Sequence, residues 1–231
     1  MSSLSERRTS VRRPDTLSEI DFAIPFRPLE AARRRARDVS LAVTLSPAGP
    51  ADGSLPGAAS FLADAAYGAV HMDTLARMIG CFAQACGAVS GPFRIALSSS
   101  LGPRTVLTLD LPRFEVEKTG FGAAHILHED DTLGCYILEI APGRSIPAHA
   151  HRVMREWELV LDDGLLLQNR PVARGTAFAW PLGHAHAYWN PTDRPLRILC
   201  IDSPRFDPSD ERPLIPAPPL APLAPVAEYQ V

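Results

Sequence analysis

The stretch that decides the fold reads GRSIPAHAHRVMRE over residues 143–156, and a second stretch, residues 175–190, reads GTAFAWPLGHAHAYWN. Each contains a His-Ala-His triplet, and the two triplets hold four of the chain's seven histidines. Because side chains alternate along a strand, His149 and His151 point the same way, about 6.6 Å apart along the strand. Two imidazoles at that distance can bind one metal ion.

A carboxylate follows the first triplet. Residues 152–155 can reverse the chain, so that the next strand presents Glu156 beside the two histidines. A carboxylate lowers the cost of holding a dication in a partly dry pocket. Glu158 has the same strand parity and is therefore the rival ligand, or else an acid behind the ligands that moves protons.

The second stretch supplies a third imidazole. Pro181 and Gly183 mark a tight reversal, after which His186 and Tyr188 begin a strand on one face. Three neutral nitrogens and one carboxylate, with positions left open for water or substrate, suit iron(II), manganese, nickel, cobalt or zinc. No cysteine is predicted in the site. The predicted ligands of one divalent transition metal are His149, His151, Glu156 and His186.

Both stretches resemble the two signature motifs of the cupin superfamily, the double-stranded β-helix barrels, over about residues 112–207. The second stretch matches every fixed position of its motif: Gly175, Pro181, Gly183, His186 and Asn190. The first matches at Gly143, His149, His151 and Glu156, with the turn glycine, Gly164, one residue later than usual. The resemblance implies a metal-binding barrel, and it implies a homodimer paired through exposed sheet edges.

A barrel is also predicted without the resemblance. Short apolar runs broken by Gly, Pro and Asp span residues 134–140, 157–161, 177–180 and 196–201. Such runs are typical of a sandwich or barrel rather than a parallel α/β sheet. The predicted fold class is mainly β, with a C-terminal cupin β-barrel at residues 112–207.

A small α+β domain is predicted before the barrel, over residues 18–111. A strand at 39–45 precedes a helix-like segment at 59–86, and strands at 93–98 and 104–110 follow. The helix-like segment repeats apolar residues at helical spacing, as expected for a face that packs on a sheet. These residues are Leu75, Met78, Ile79 and Phe82.

Part of this domain resembles another family. Residues 73–79, DTLARMI, look like the helix of dihydroneopterin aldolase-type tunnelling folds, which bears Glu-Thr-Leu-Ala, and the resemblance covers about residues 20–112. Asp73 replaces the glutamate that grips a pterin ring in that family, and Ser98, Ser99 and Ser100 stand where its catalytic lysine is expected. The resemblance implies a degenerate pterin or purine pocket, or an oligomerisation sheet. A chance match of an amphipathic helix is the alternative.

Both ends of the chain are predicted to be disordered tails. Residues 1–17 carry four arginines among serines, and residues 208–231 are rich in proline. Proline favours extended polyproline conformation without a packed core.

Composition limits the partners and the compartment. A net charge of −3 offers no broad attraction to nucleic acid or to acidic membranes. The sequence shows no secretory signal and no apolar stretch long enough to cross a membrane, and its four cysteines lack paired spacing. A cytoplasmic protein is expected, with Cys81, Cys86, Cys135 and Cys200 as buried small hydrophobic residues.

Several residues near the motifs are candidates for substrate binding or proton transfer. His184 lies two residues before His186, which suggests a rim or proton-shuttle residue. Tyr136 and Tyr188 lie on strands that can face the cavity, and Arg152 can receive a substrate carboxylate in bidentate fashion.

Two classes of function follow. The leading one is a metal-dependent enzyme acting on a small chelating organic substrate. Its chemistry would be dioxygenase-type oxidation at iron(II), the favoured metal, or Lewis-acid lyase, isomerase or cyclase chemistry. Glu158 or His184 would move protons. The alternative is a non-catalytic sensor or binding module for a metal or small molecule.

Overall fold

The computed structural model describes residues 20–26, 39–46, 54–66, 70–87, 93–99, 105–109, 114–214 and 222–231. The predicted N-terminal tail lies outside these residues. Among the described helices, none is both long enough and apolar enough to cross a lipid bilayer.

The N-terminal part is a four-stranded antiparallel sheet with two helices. In chain order its elements are β1 (Ile20–Phe26), β2 (Val39–Ser46), α1 (Ser54–Ala66), α2 (Met72–Ala85), β3 (Phe93–Ser99) and β4 (Thr105–Leu109). The strands lie in the order β1-β2-β3-β4. The predicted order β-α-β-β therefore lacked strand β1 and treated α1 and α2 as one helix. Asp73 in the first turn of α2 favours a new helix start there. The tunnelling-fold resemblance of this segment stays a prediction.

The C-terminal part is the predicted β-barrel, made of two antiparallel sheets. Its strands are β5 (Glu115–Lys118), β6 (Gly122–Glu129), β7 (Gly134–Ile140), β8 (Ser145–His151), β9 (Arg155–Val160), β10 (Leu166–Leu167), β11 (Arg170–Pro171), β12 (Thr176–Trp180), β13 (His186–Trp189), β14 (Leu196–Ser203), β15 (Glu211–Pro213) and β16 (Ala227–Glu228). One sheet has the order β16-β12-β9-β14-β7-β6-β5, and the other has the order β11-β10-β13-β8-β15. The predicted mainly β fold with a C-terminal β-barrel is confirmed.

The helices cover the outer face of the seven-stranded sheet. Phe61 of α1 and Phe82 of α2 belong to one buried cluster with Ile137, Leu159 and Ile201 of the sheet. The alternate residues of the same strands, such as Val160 and Ile198, belong to a second cluster inside the barrel. Because these strands are buried on both faces, apolar residues stand at consecutive positions in them, as at residues 198–201 of β14.

The proline-rich C-terminal segment is not a disordered tail where it is described. Residues 211–213 form β15, which pairs with β8, and residues 227–228 form β16, which pairs with β12. The Tyr229 hydroxyl donates a hydrogen bond of 2.6 Å to Asp64 of α1. Both strands lie at sheet edges, where missing N–H donors are tolerated. Composition alone therefore misjudged this segment.

One motif glycine is needed for this packing. Gly175 has φ +85°, and a Cβ there would lie 2.0 Å from the Tyr229 carbonyl oxygen. The Tyr229 N–H in turn donates to the Gly175 carbonyl oxygen at 2.7 Å. A side chain at this position would push the C-terminal strand off the barrel.

Candidate metal centre

Three strands bring the predicted ligands together inside the barrel. His149 and His151 lie on β8, and His186 on β13 is the register partner of His149. Glu156 lies on β9, beside Asp202 of β14, in the facing sheet. Each ligand is at most 6% exposed. The alternation of side chains along β8 and β9 thus directs the predicted ligands inward.

His149, Glu156 and His186 form a group with the spacing of metal ligands. One ligand atom from each residue lies within 4.8 Å of the other two. The nearest pair is His186 Nε2 and Glu156 Oε2, which are 3.0 Å apart. Two atoms that each bind one ion at about 2.0–2.2 Å lie about 3 Å apart. The spacing of this group therefore fits a transition metal ion.

His151 lies at the edge of this group. Its Nε2 is 3.8 Å from Glu156 Oε2, and its ring centroid is 5.0 Å from that of His149. On its other side, its Nδ1 is 3.8 Å from an oxygen of Asp210, too far for a hydrogen bond. The structure brings all four predicted ligands into one pocket, with His151 the most distant.

The pocket holds buried polar atoms that have no hydrogen-bond partner. They are Glu156 Oε2, His186 Nε2 and His151 Nδ1. The first two face each other at 3.0 Å without hydrogen-bond geometry. Each unpaired buried polar atom costs about 1–3 kcal/mol, and native proteins hold few of them. A metal ion shared by Glu156 and His186 would remove this cost, so the residues fit a divalent metal.

The electrostatics of the pocket favour the ligand forms of two histidines. Burial, the largest effect, lowers the pKa of His149 to about 4 and also lowers the pKa of His151. Both imidazoles are therefore neutral at pH 7, as metal binding requires.

Glu156 and His186 influence each other. Burial raises the pKa of Glu156, but His186 and the other two histidines outweigh burial and bring that pKa to about 2. Burial lowers the pKa of His186, but Glu156 outweighs it and raises that pKa. Glu156 is therefore an anion at neutral pH, and a metal ion would compete with the proton on His186.

Glu158 has a different environment from Glu156. Its Oε2 accepts hydrogen bonds from the Trp180 indole N–H and the Tyr188 hydroxyl. Burial and the charge of Glu156 raise the pKa of Glu158 to about 7. Of the two rival carboxylates, Glu156 has the unpaired oxygen, whereas the oxygen of Glu158 is held by two donors.

His184 lies on the rim, apart from the ligand group. Its ring stacks on Trp180 at 5.6 Å, and the other triplet histidine, His186, stacks on Trp180 at 4.2 Å with an interplanar angle of 6°. The Gly183 N–H donates to the His151 carbonyl oxygen at 2.7 Å, which holds the loop before His184 against β8. Trp180 therefore orients His186 and connects it to the rim.

The three candidate substrate residues lie in different surroundings. Tyr188 is 1% exposed, and its hydroxyl is bound to Glu158. The Tyr136 hydroxyl donates to Glu129 at 3.0 Å and accepts from the Phe206 N–H at 3.3 Å. Arg152 is exposed in the turn after β8. Both tyrosine hydroxyls are thus engaged, and Arg152 is the candidate that faces solvent.

Two residues on β14 that contact the site were not predicted. Cys200, expected to be a simple buried hydrophobic residue, has its Sγ 3.4 Å from Glu156 Oε1 and 3.1 Å from Asp202 Oδ1. The expectation that no cysteine takes part was therefore wrong in this respect, because Cys200 supports the Glu156 carboxylate. The strand parity of Ile198, Cys200 and Asp202, with an acid in an apolar run, was the available signal.

A third residue, Asp210, had no signal in the sequence. Its carboxylate accepts the N–H groups of Arg152, Val153 and Met154 at 2.9–3.2 Å. The partners are 56–58 positions apart in the chain. Asp210 holds the turn that leads from His151 to Glu156.

Comparisons with known proteins concern the fold alone. The sequence matches no family model and no curated protein. A sugar phosphate isomerase of the cupin superfamily from Silicibacter pomeroyi shares 22% identity over 36% of this chain and 59% of that chain, with a TM-score of 0.33. The polyketide cyclase RemF from Streptomyces resistomycificus shares 21% identity over 44% of this chain and 80% of that chain, with a TM-score of 0.38. A recombinant oxalate oxidase in complex with glycolate shares 22% identity over 32% of this chain and 42% of that chain, with a TM-score of 0.29.

Proposed function

We propose that this chain is a metal-dependent cupin enzyme that acts on a small organic molecule able to chelate the metal. The observation that carries the proposal is the buried group of His149, Glu156 and His186, in which Glu156 Oε2 and His186 Nε2 face each other at 3.0 Å without hydrogen-bond geometry. His149 and His151 complete the proposed ligand set. Iron(II) is the favoured metal, and zinc, manganese, nickel and cobalt suit the same ligands.

The metal would supply Lewis-acid polarisation of a substrate oxygen or, as iron(II), dioxygenase-type oxidation. Glu158, with a pKa of about 7, can hold or release a carboxyl proton near neutral pH beside the ligands. Its donors Trp180 and Tyr188 keep that carboxyl in place.

The rim residues have roles in the same proposal. His184, half-buried beside Trp180, would pass protons between the pocket and solvent. Arg152, exposed after β8, would bind a carboxylate of the substrate, and Tyr136 and Tyr188 would form the pocket wall. Assembly as a homodimer and a cytoplasmic location stay predictions.

The first test is the metal content of protein purified without a metal-binding tag. We expect a near-stoichiometric metal in the wild type and its loss in His186→Ala. His125→Ala is the matched control, because His125 lies on β6 and faces Glu139 at 3.8 Å, outside the ligand group. Equal metal content in wild type and His186→Ala after reconstitution would refute the metal centre.

The identity of the retained metal directs the second test. Iron lost in His186→Ala would support oxidation and lead to screening of candidate substrates by oxygen uptake. Zinc or manganese lost in the same variant would favour Lewis-acid chemistry, screened by product analysis without oxygen. A barrel that stays empty in the wild type would instead be a binding module.

A further inference from the structure

Three large apolar side chains are exposed on the loops next to the candidate metal centre. They are Val153 at 64% exposure, Leu182 at 50% and Phe206 at 39%. They lie on three different loops, which follow β8, β12 and β14. We refer to Val153, Leu182 and Phe206 as the apolar rim. Exposed apolar groups that gather at one place mark binding surfaces.

Contacts with His151 and its neighbours place all three loops near this residue. The Phe206 ring meets the His151 ring edge-on at 6.5 Å. The Leu182 loop is held by the hydrogen bond from the Gly183 N–H to the His151 carbonyl oxygen. Val153 follows His151 by two residues, and its N–H donates to the Asp210 carboxylate at 3.1 Å. The apolar rim therefore lies on loops at the end of the barrel where His151 lies.

At the opposite end of the barrel, polar contacts hold the chain segments together. The Asn190 side-chain amide donates to the carbonyl oxygens of Ile140 and Arg194, and its N–H donates to the Arg144 carbonyl oxygen. Asn190 is fully buried there. A ligand would therefore reach the metal ligands past the apolar rim.

The tyrosine and tryptophan hydrogen-bond donors of the pocket wall are already engaged. Trp180 and Tyr188 donate to Glu158, and Tyr136 donates to Glu129. The single S–H of Cys200 lies between Glu156 and Asp202, at 3.4 and 3.1 Å from their oxygens. A polyol that entered the pocket would leave hydroxyl groups unpaired, each at a cost. An apolar body has no such cost and would cover the apolar rim.

We propose that the pocket takes a chelating ligand whose body is apolar and at least the size of one aromatic ring. The chelating oxygens would lie at the metal and the body would pack against Val153, Leu182 and Phe206. This inference rests on the proposed metal centre and adds the substrate class. It separates apolar or aromatic substrates from sugars and small dicarboxylates.

The test compares two chelators that differ only in their apolar part. Protein loaded with cobalt(II) is titrated by calorimetry with acetohydroxamate and with benzohydroxamate, while the cobalt absorption spectrum reports coordination. Burial of part of the ring against the rim should make benzohydroxamate bind about tenfold more tightly. Leu182→Ser and Val153→Ser should each reduce that preference about threefold or more.

Val116→Ser is the matched control, since Val116 is 51% exposed on β5 at the far edge of the seven-stranded sheet. It should leave the preference unchanged. Equal affinities of wild type for the two chelators, or equal losses in Val116→Ser and Val153→Ser, would overturn the inference with the metal centre intact. Failure of the wild type to bind cobalt would refute the metal centre itself. A rim variant that changes the molar mass by light scattering, but not the preference, would assign the rim to a protein interface and overturn the inference.

Discussion

Removing one hydroxyl from the barrel tests the role of Glu158. Tyr188→Phe deletes the O–H that donates to Glu158 Oε2 and keeps the ring that packs among Val160, Phe178 and Ile198. The change opens no cavity of ring size, so its effect reports on the hydrogen bond. We expect a loss of stability with little change in metal content.

The magnitude follows from the burial of the acceptor. Glu158 is 1% exposed, so water cannot replace the lost donor, and the Trp180 N–H is left as its other donor. Leaving such a buried group short of one hydrogen bond costs about 1–3 kcal/mol. For a chain of this length each kcal/mol lowers Tm by about 2–4 °C. The expected decrease in Tm is therefore about 2–12 °C.

The assay is thermal unfolding followed by circular dichroism, with metal content measured on the same samples. Tyr136→Phe is the control, because it also removes a tyrosine hydroxyl, the one that donates to Glu129. The Glu129 side chain is 31% exposed and can bind water instead. Its cost should be about 0–1 kcal/mol. Equal costs for the two variants would refute our account of Glu158 as a carboxyl held by buried donors. Loss of the metal in Tyr188→Phe would instead make Glu158 part of the ligand set.

Three further predictions address other parts of the molecule. Glu156→Gln should lower metal affinity more than about 100-fold, whereas Glu158→Gln should lower it about 10-fold or less, because only Glu156 has an oxygen without a hydrogen-bond partner. Competition with a coloured chelator measures both affinities, and the reverse order would exchange the roles of the two carboxylates. Asp210→Ala should lower the free energy of unfolding, measured in urea at pH 7, by about 2 kcal/mol or more, since three N–H groups lose their acceptor. Asp207→Ala should lower it less, because the exposed Asp207 carboxylate accepts only the Ser209 N–H. The pKa of Asp210 is lowered because these N–H groups outweigh burial, so the Asp210→Ala difference should shrink as the pH falls below about 4. Burial raises the pKa of Cys81 to about 11 and raises the pKa values of Cys135 and Cys200 well above that of an ordinary thiol. Iodoacetamide at pH 8 should therefore label mainly the half-buried Cys86, as measured by mass spectrometry, and fast labelling of Cys81 in the native protein would contradict the packing of α2 on the sheet.

The sequence by itself was sufficient to predict the barrel and the residues whose side chains converge inside it. Two His-Ala-His triplets, with glycine and proline at fixed distances, indicate strands and turns through local geometry, since side-chain alternation has a period of two. The same alternation accounts for His149, His151 and Glu156 facing one pocket with His186. That these residues hold a metal stays a prediction.

Contacts between distant segments decided the rest. Glu156 and Glu158 are equivalent by strand parity, and they differ only because Trp180 and Tyr188, on two other strands, engage one of them. The C-terminal strands β15 and β16 form because partner edges are available on β8 and β12, which composition does not record. Likewise, α1 and α2 cover the barrel because the outer face of its sheet is apolar. Local periodicity determines which way a side chain points, but tertiary packing determines what it meets there, and the chemistry of each carboxyl group depends on that neighbour.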